Sequence, residues 1–444
     1  MVKIIKAGAE KTDISPSKGI ELAGYPHYPR NNTGVHDPLY ASCLFLDDGD
    51  EKVFIISLDL VFFSKKYLKE VRKRISDATG VAEHNITAAC THTHSGPWAS
   101  GRLDIEALEN EAEPDDAYVE ELKDKIVKTA VSAFKETFTA SIGTGSVHCG
   151  KESGIGGNRR DPEGISDPEL AVLGIRDAEG IIRAIVVNYA LHPTFLHADN
   201  TLVSSDYPGY IREYLEKRYP GSVMLFLEGC AGDQSSRYFR QGQSFDEAKR
   251  VGYAMGTAAS GVLDDIEFKP FEKICVGYRE LPFSLREFKD EKQAETDVEK
   301  ARMEYDSLKK NGAGYIQLQN ANVKLLGAED MLGYIRMVKS KKRIALYEDE
   351  QPMEIQVIGI GRSRIAALPG EIFVSFGLEI KKANPEGTVF VSAVTNGCLP
   401  GYVYTKEALA LGGYEVDTSM LCEDTGEKMT ETVKDIFKEM EDIC

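Results

Sequence analysis

The stretch from Lys52 to Cys90 constrains the fold most. "KVFIISLDLVFF" is a continuous apolar run ending near Asp59, the pattern of a strand covered on both faces. "KKYLKEVRKRISDATG" follows, with apolar residues at helical spacing and a terminal glycine, and "NITAAC" is again β-rich. The three segments predict a strand–helix–strand unit. Its second strand runs into "THTHSGP", which carries His92 and His94, two of only eight histidines in 444 residues.

The same alternation continues. A helix is expected from about Asp115 to Phe138, then a strand around "ASIGTGSVHCG". "ELAVLGIRDAEGIIRAIVVNYALHPT" predicts two strands about an acidic glycine turn, ending at His192. "YPGYIREYLEKRYPG" is helical, and "SVMLFLEGCAGD" is another buried strand. From 286 to 342 the chain turns charged, helical and poor in β-branched residues, which predicts a helical insertion: either a solvated surface pair or a lid over a cleft. β character returns in "MEIQVIGIGRSRIAALPG", then a helix, then "TVFVSAVTNG", and the chain closes on "EKMTETVKDIFKEMEDIC". No internal repeat is visible. The expected fold class is α/β: a layered mixed β-sheet core with flanking helices, in one catalytic-type domain over 1–444 with the 286–342 insertion inside it.

Composition narrows the function. Hydrophobic residues make up 42% and charged residues 28%, ordinary for a chain that buries a core. The formal charge of −18 repels phosphate backbones, so no nucleic-acid partner is expected. No apolar run approaches the roughly 18 residues of a membrane span. The first residues meet charges too early for a secretory core, so a cytoplasmic location is the expectation. The cysteines are scattered without a C-x-x-C pair and are expected to be free thiols.

Polar residues cluster where apolar strands end, the place where open α/β sheets bind ligands. Asp59, His92, His94, His192, Asp233 and Asn396 all have such positions, and Glu371 follows the Pro-Gly turn of "AALPGEIF". If the strand continues through "THTH", His92 and His94 share one face. Two histidines and a carboxylate make a catalytic zinc set with an open position. Each residue alone has an ordinary structural explanation, and for His27, His36, Asp37, Asp59, His197 and Asp206 that explanation is preferred.

Together these segments resemble the neutral (alkaline, non-lysosomal) ceramidase family, in its catalytic N-terminal domain, from about Gly8 to Met420. "THTHSGP" carries the resemblance, supported in order by "NRR" at Asn158–Arg160, "HPT" at His192–Thr194, "SSD" at Ser204–Asp206, "GDQS" at Gly232–Ser235 and "PGE" at Pro369–Glu371. The resemblance implies a Zn2+ ion held by His92, His192, Glu371 and Tyr402. It places His94 beside the reactive water, and Arg159 and Tyr414 as catalytic hydrogen-bond donors. The implied reaction is hydrolysis of the amide of a small-molecule or lipid-like N-acyl substrate. Two rival readings stay open: another metal-dependent hydrolase on this scaffold (ester, phosphoester or carbohydrate), and a non-catalytic ligand-binding relative. Arg159, Arg160 and Arg237 keep an anionic substrate in view.

The sequence departs from the family pattern at two places. "GDQSSRYFR" stands where Ser-Pro-Asn is usual, and the loop after Tyr414 is polar and acidic. Ser235 is read as turn-forming and Asp233 as the orienter of a histidine.

Overall fold

The computed structural model describes residues 4–25, 27–100, 115–270, 272–340 and 344–441. Three mixed sheets share one plan. In each, a β-hairpin is followed by a helix and then by a strand lying parallel to the hairpin's second strand. In the first sheet, Tyr40–Asp47 and Lys52–Leu58 are antiparallel, and Ile86–Cys90 returns parallel to Lys52–Leu58 after the helix Lys65–Thr79. In the second, Glu169–Arg176 and Ile182–Tyr189 are followed by the helix Asp206–Arg218 and the parallel strand Val223–Glu228. In the third, Met353–Ile360 and Ser363–Ala367 are followed by Val374–Lys382 and the parallel strand Val389–Ser392. The repeat is one of topology, which explains why no repeat is legible in the residues.

One further antiparallel strand abuts each hairpin: Lys6–Asp13, Ser141–His148 and Ile274–Leu281. A single apolar cluster joins all three sheets, with Leu44 and Ile55 of the first, Leu173, Val186 and Leu225 of the second, and Ile358, Ile365 and Phe390 of the third. Helices pack on the outer faces, where Leu68, Val71, Leu122 and Ile126 enter a second cluster and Ile211, Val251 and Met255 a third. Strands apolar on both faces are therefore required, as the runs in the sequence indicate. The fold is the layered α/β class expected.

The 286–342 stretch forms two helices, Glu291–Lys310 and Tyr315–Ser340; residues 341 and 342 lie outside the described residues. Their mutual contact is thin. Ala294, Met331 and Ile335 form one small cluster, Ala301, Leu325 and Ala328 another, and ion pairs such as Arg336–Glu291 (2.9 Å) and Lys324–Glu304 (2.6 Å) flank them. The outer face is solvated, but the inner face of Tyr315–Ser340 is a wall of the cleft described below.

The expectation of free thiols needs one correction. Cys43, Cys90, Cys149, Cys230, Cys398 and Cys422 are free, but Cys275 is disulfide-bonded; Cys444 lies outside the described residues. Spacing along the chain carries no information about pairing between distant cysteines.

Candidate metal and catalytic site

His92 and His94 converge by a different route from strand alternation. The strand stops at Cys90, and His92 adopts a left-handed backbone conformation with φ 64°. A non-glycine residue tolerates this only where its surroundings hold it. Here the His92 amide donates to the Leu60 carbonyl at 2.9 Å, and its Nδ1 donates to the Val61 carbonyl at 2.9 Å. The turn still brings the two rings to 4.9 Å between centroids. Gly24, at φ 92°, makes the approach of the N-terminal loop possible. A Cβ there would lie 2.7 Å from the His94 Cα and 2.5 Å from its Cγ.

His192 follows the strand Ile182–Tyr189 of the second sheet. Its Nδ1 donates to the Ala231 carbonyl at 2.6 Å and lies 3.2 Å from the Gln234 carbonyl. The backbone of the "GDQS" turn thus orients this histidine, and the expected role for Asp233 is corrected. The Asp233 carboxylate accepts from the Val374 amide (2.9 Å) and from Asn158 Nδ2 (3.1 Å), tying the turn to the neighbours of Glu371 and Arg159. A main-chain carbonyl is invisible to residue-type reasoning, while an aspartate at that spot is conspicuous.

Glu371 follows the strand Ser363–Ala367 of the third sheet, in a short strand parallel to Tyr402–Val403 that sets Glu371 directly beside Tyr402. Each of the three sheets therefore supplies one group to one point. The His92 and His192 Nε2 atoms are 3.2 Å apart, and Glu371 Oε2 lies 2.9 Å from His192 Nε2 and 3.3 Å from His92 Nε2. With both Nδ1 protons donated to carbonyls, what converges is two imidazole lone pairs and a carboxylate. A tetrahedral ion with bonds of about 2.0–2.1 Å has ligand–ligand edges of about 3.3 Å, so the spacing fits a metal such as zinc. Burial, helped by the positive charge of Arg159, pushes His192 down to about 4, so it is neutral near pH 7. The Glu371 carboxyl is held well below its usual range, against its burial, when positive imidazole rings face it; with both rings neutral, a bound cation is what would supply that positive charge.

His94 completes a group of three histidines whose ligand atoms all lie within 4.8 Å, an arrangement that could hold a metal ion. Two assignments of the third ligand thus arise, His94 or Glu371. The shorter distances belong to Glu371. His94 instead keeps both ring nitrogens buried and, among the described residues, without a hydrogen-bond partner, and burial together with His92 and His192 pushes it well below the usual histidine range. It is a neutral imidazole free to accept a proton.

Arg159 is held rigidly, its Nε donating to Glu415 Oε1 at 2.8 Å and its Nη2 to the Gly232 carbonyl at 2.7 Å. Its guanidinium carbon lies 5.3 Å from the Tyr402 ring centre. Arg160 shares the same carboxylate, Nη1 to Glu415 Oε2 at 2.7 Å. Glu415 escaped the sequence reading, although an acid beside a loop tyrosine and opposite an arginine pair is the signal that could have found it. Tyr402 is 8% exposed and packs edge-on to Tyr414, ring centres 6.2 Å apart. Burial and Glu371 push the Tyr402 phenol well above its usual range, and burial and Asp330 raise Tyr414. Tyr404, by contrast, donates to the Leu421 carbonyl at 2.8 Å.

His92, His94, Arg159, Glu371, Tyr402 and Tyr414 line a cleft of about 260 Å3. Its other walls are Tyr25, Phe62, Trp98 and Leu399 of the sheet domain and Ile316, Val323 and Leu326 of the helix Tyr315–Ser340. His27 and His197 also border it, His27 Nε2 standing 3.1 Å from Asp330 Oδ2 on that helix. The remaining strand-end residues are structural. Asp59 is a buried partner of Arg212 (2.8 Å) and Ser205 (3.0 Å). Asn396 accepts from the Ala88 amide (3.0 Å) and donates to Gln356 (2.7 Å). His36 stacks on Phe245 at 3.7 Å and pairs with Asp37, and Asp206 is buried, its Oδ2 accepting from the Leu196 amide.

Residues 6–226 match the profile of the family described as neutral/alkaline non-lysosomal ceramidase, N-terminal. The neutral ceramidase of Pseudomonas aeruginosa is 22% identical over 461 aligned positions, 92% of this chain and 68% of that protein. The Drosophila melanogaster neutral ceramidase is 26% identical over 262 positions, 52% of this chain and 36% of its own length, so the chain matches little more than a third of that relative. The crystal structure of the P. aeruginosa neutral ceramidase superposes with a TM-score of 0.74 at 18% identity, over 99% of this chain and 75% of that one. A ceramidase solved in complex with C2 gives 0.75 at 17% identity. Over residues 6–226 the sequence is similar to the neutral/alkaline non-lysosomal ceramidase family, and over nearly the whole chain it shares the fold of a solved neutral ceramidase.

Proposed function

We propose that this protein is a zinc-dependent amidohydrolase acting on an N-acyl substrate, with His92, His192, Glu371 and Tyr402 as metal ligands. The observation that carries the reading is the mutual spacing of 2.9 to 3.3 Å among His92 Nε2, His192 Nε2 and Glu371 Oε2. Zinc in such a site supplies Lewis acidity and brings the pKa of water toward neutrality. The rest is done by the chain. Arg159 and Tyr414 donate to the carbonyl oxygen as it gains charge, and Arg159 is already oriented by Glu415 and Gly232, so little reorganisation is needed. His94 takes a proton from the attacking water and returns it to the leaving amine nitrogen. Trp98, Phe62 and the helix Tyr315–Ser340 exclude bulk water from the reacting bond. Similarity to neutral ceramidases in sequence and fold supports ceramide-like amides as one substrate class.

The test is release of free amine from N-acyl compounds, with metal content measured on the same samples. Turnover that is lost with a chelator and regained with zinc is expected. Chelator-insensitive turnover, or zinc bound without hydrolysis of any amide, would overturn the proposal.

A further inference from the structure

The cleft carries more positive charge than its own chain neutralises. Arg237 and Arg240 line it, and among the described residues neither has a carboxylate within ion-pair distance. Arg237 lies beside Tyr238, its amide donates to Ser235 Oγ at 3.2 Å, and the negative charge acting on it is that of Glu415, already shared by Arg159 and Arg160. Arg240 Nη1 donates to the Thr194 carbonyl at 3.1 Å. Of the acids nearby, Glu415 pairs with Arg159 and Arg160, Glu371 faces the imidazoles, Asp330 pairs with His27, and buried Asp206 accepts from the Leu196 and Tyr207 amides; Asp199 is exposed and acts on His197 and Arg30 through its charge alone. In a chain with 71 acidic residues against 53 basic ones, two half-buried guanidinium groups without a counter-charge are a cost that folding alone does not repay. The local field agrees. Burial and Arg159 push Arg237 below the usual arginine range, and burial and Arg240 push His197 down.

The placement is built. The Phe239 and Arg240 amides both donate to the Ser236 carbonyl (2.9 and 2.8 Å), a helical turn that sets residues 237 and 240 on one side. The turn continues directly from the 231–234 backbone that orients His192. It is also the segment, "SSRYFR", where the sequence leaves the family pattern.

We propose that Arg237 and Arg240 are specificity residues for an anionic N-acyl substrate, whose carboxylate or phosphate group they hold; N-acyl amino acids are the simplest members of that class. The inference rests on the amidohydrolase reading of the same cleft. The water oxygen bonds to the acyl carbon, the C–N bond breaks, and the amine nitrogen takes the proton, yielding a fatty or short-chain carboxylate and the free amino acid. A planar guanidinium fork matches either anion, whereas a neutral hydroxyl or ester offers no counter-charge.

Matched pairs test this: an N-acyl amino acid against its methyl ester, an N-acyl phosphoethanolamine against the N-acylethanolamine, and ceramide beside them. The anionic member of at least one pair is expected to have the higher kcat/KM by about 10- to 100-fold, the value of one or two charge-assisted hydrogen bonds. R237Q and R240Q are expected to raise KM for the anion and bring the ratio toward one, with R237K and R240K intermediate. Which pair responds tells carboxylate from phosphate. Equal turnover within both pairs, or a preference for ceramide, overturns the inference and leaves the amidohydrolase reading intact. Should no amide be cleaved, that reading falls and ligand-induced thermal shift decides the inference. Stabilisation of the wild type by the acid but not the ester, lost in R237Q, upholds it; equal shifts overturn it.

Discussion

Glu415 offers the sharpest quantitative test of how the catalytic arginine is held. It is 5% exposed and bridges two guanidinium groups, Arg159 Nε at 2.8 Å and Arg160 Nη1 at 2.7 Å. Glu415→Gln keeps the shape but removes the charge and turns one acceptor into a donor facing an arginine. Breaking a buried pair in this way costs about 3–5 kcal/mol. Arg159 keeps the Gly232 carbonyl and Arg160 the Gly412 carbonyl, so the low end applies, about 3 kcal/mol, or roughly 100-fold in the folding equilibrium. Loss of a fixed donor at the developing oxyanion lowers kcat by about 100- to 1000-fold. The pH dependence has a defined sign. Burial alone would raise the Glu415 carboxyl, but Arg159 and Arg160 outweigh it and hold the carboxyl below its usual range. Its contribution is therefore complete above the unfolded-state pKa of about 4.3, and is lost as pH falls through the lower folded value. Urea unfolding of both proteins at several pH values, with kcat measured in parallel, checks this. A stability gap that is constant from pH 6 to 8 and closes below about pH 4 is expected. A variant within about 0.5 kcal/mol of wild type with unchanged kcat would refute the reasoning.

Other expectations follow from the same geometry. His92→Ala and Glu371→Ala are expected to lose bound metal as well as activity, whereas His94→Ala keeps most of the metal and loses turnover; metal analysis of the three variants separates ligand from proton carrier. Gly24→Ala places a methyl group against His94 at a backbone angle disfavoured for alanine, so activity falls at least tenfold while the metal is retained. Asp59→Asn breaks the buried contact to Arg212, a residue that does not line the cleft. It is expected to cost about 3 kcal/mol in urea unfolding without changing metal stoichiometry.

Much of the site was legible because polar residues at the ends of apolar strands have few alternative explanations once several occur together. Asp59, His92, His192, Glu371 and Asn396 all end strands, yet only three of them meet. Which three depends on how the sheets are arranged, and that information sits in long-range pairing rather than in local pattern. Strand alternation gave a sound expectation that His92 and His94 face one way and an incorrect reason for it, since a left-handed turn at His92 replaces the strand. The helix Phe245–Asp265 was not singled out from sequence. The groups that orient the histidines, the carbonyls of Val61 and Ala231, have no residue identity to read. The insertion helices present two faces, one solvated and one lining the cleft, so neither a surface pair nor a lid describes them alone.

Zinc-edge X-ray absorption of the reconstituted protein, with the metal quantified on the same sample, tests the central claim most directly. One zinc per chain is predicted, bound by two imidazole nitrogens and by oxygen ligands, all at about 2.0–2.2 Å, with the oxygen contribution reduced in Glu371→Ala. Scattering from three imidazoles with no change in Glu371→Ala, a sulfur shell near 2.3 Å, or failure to retain zinc would contradict the account.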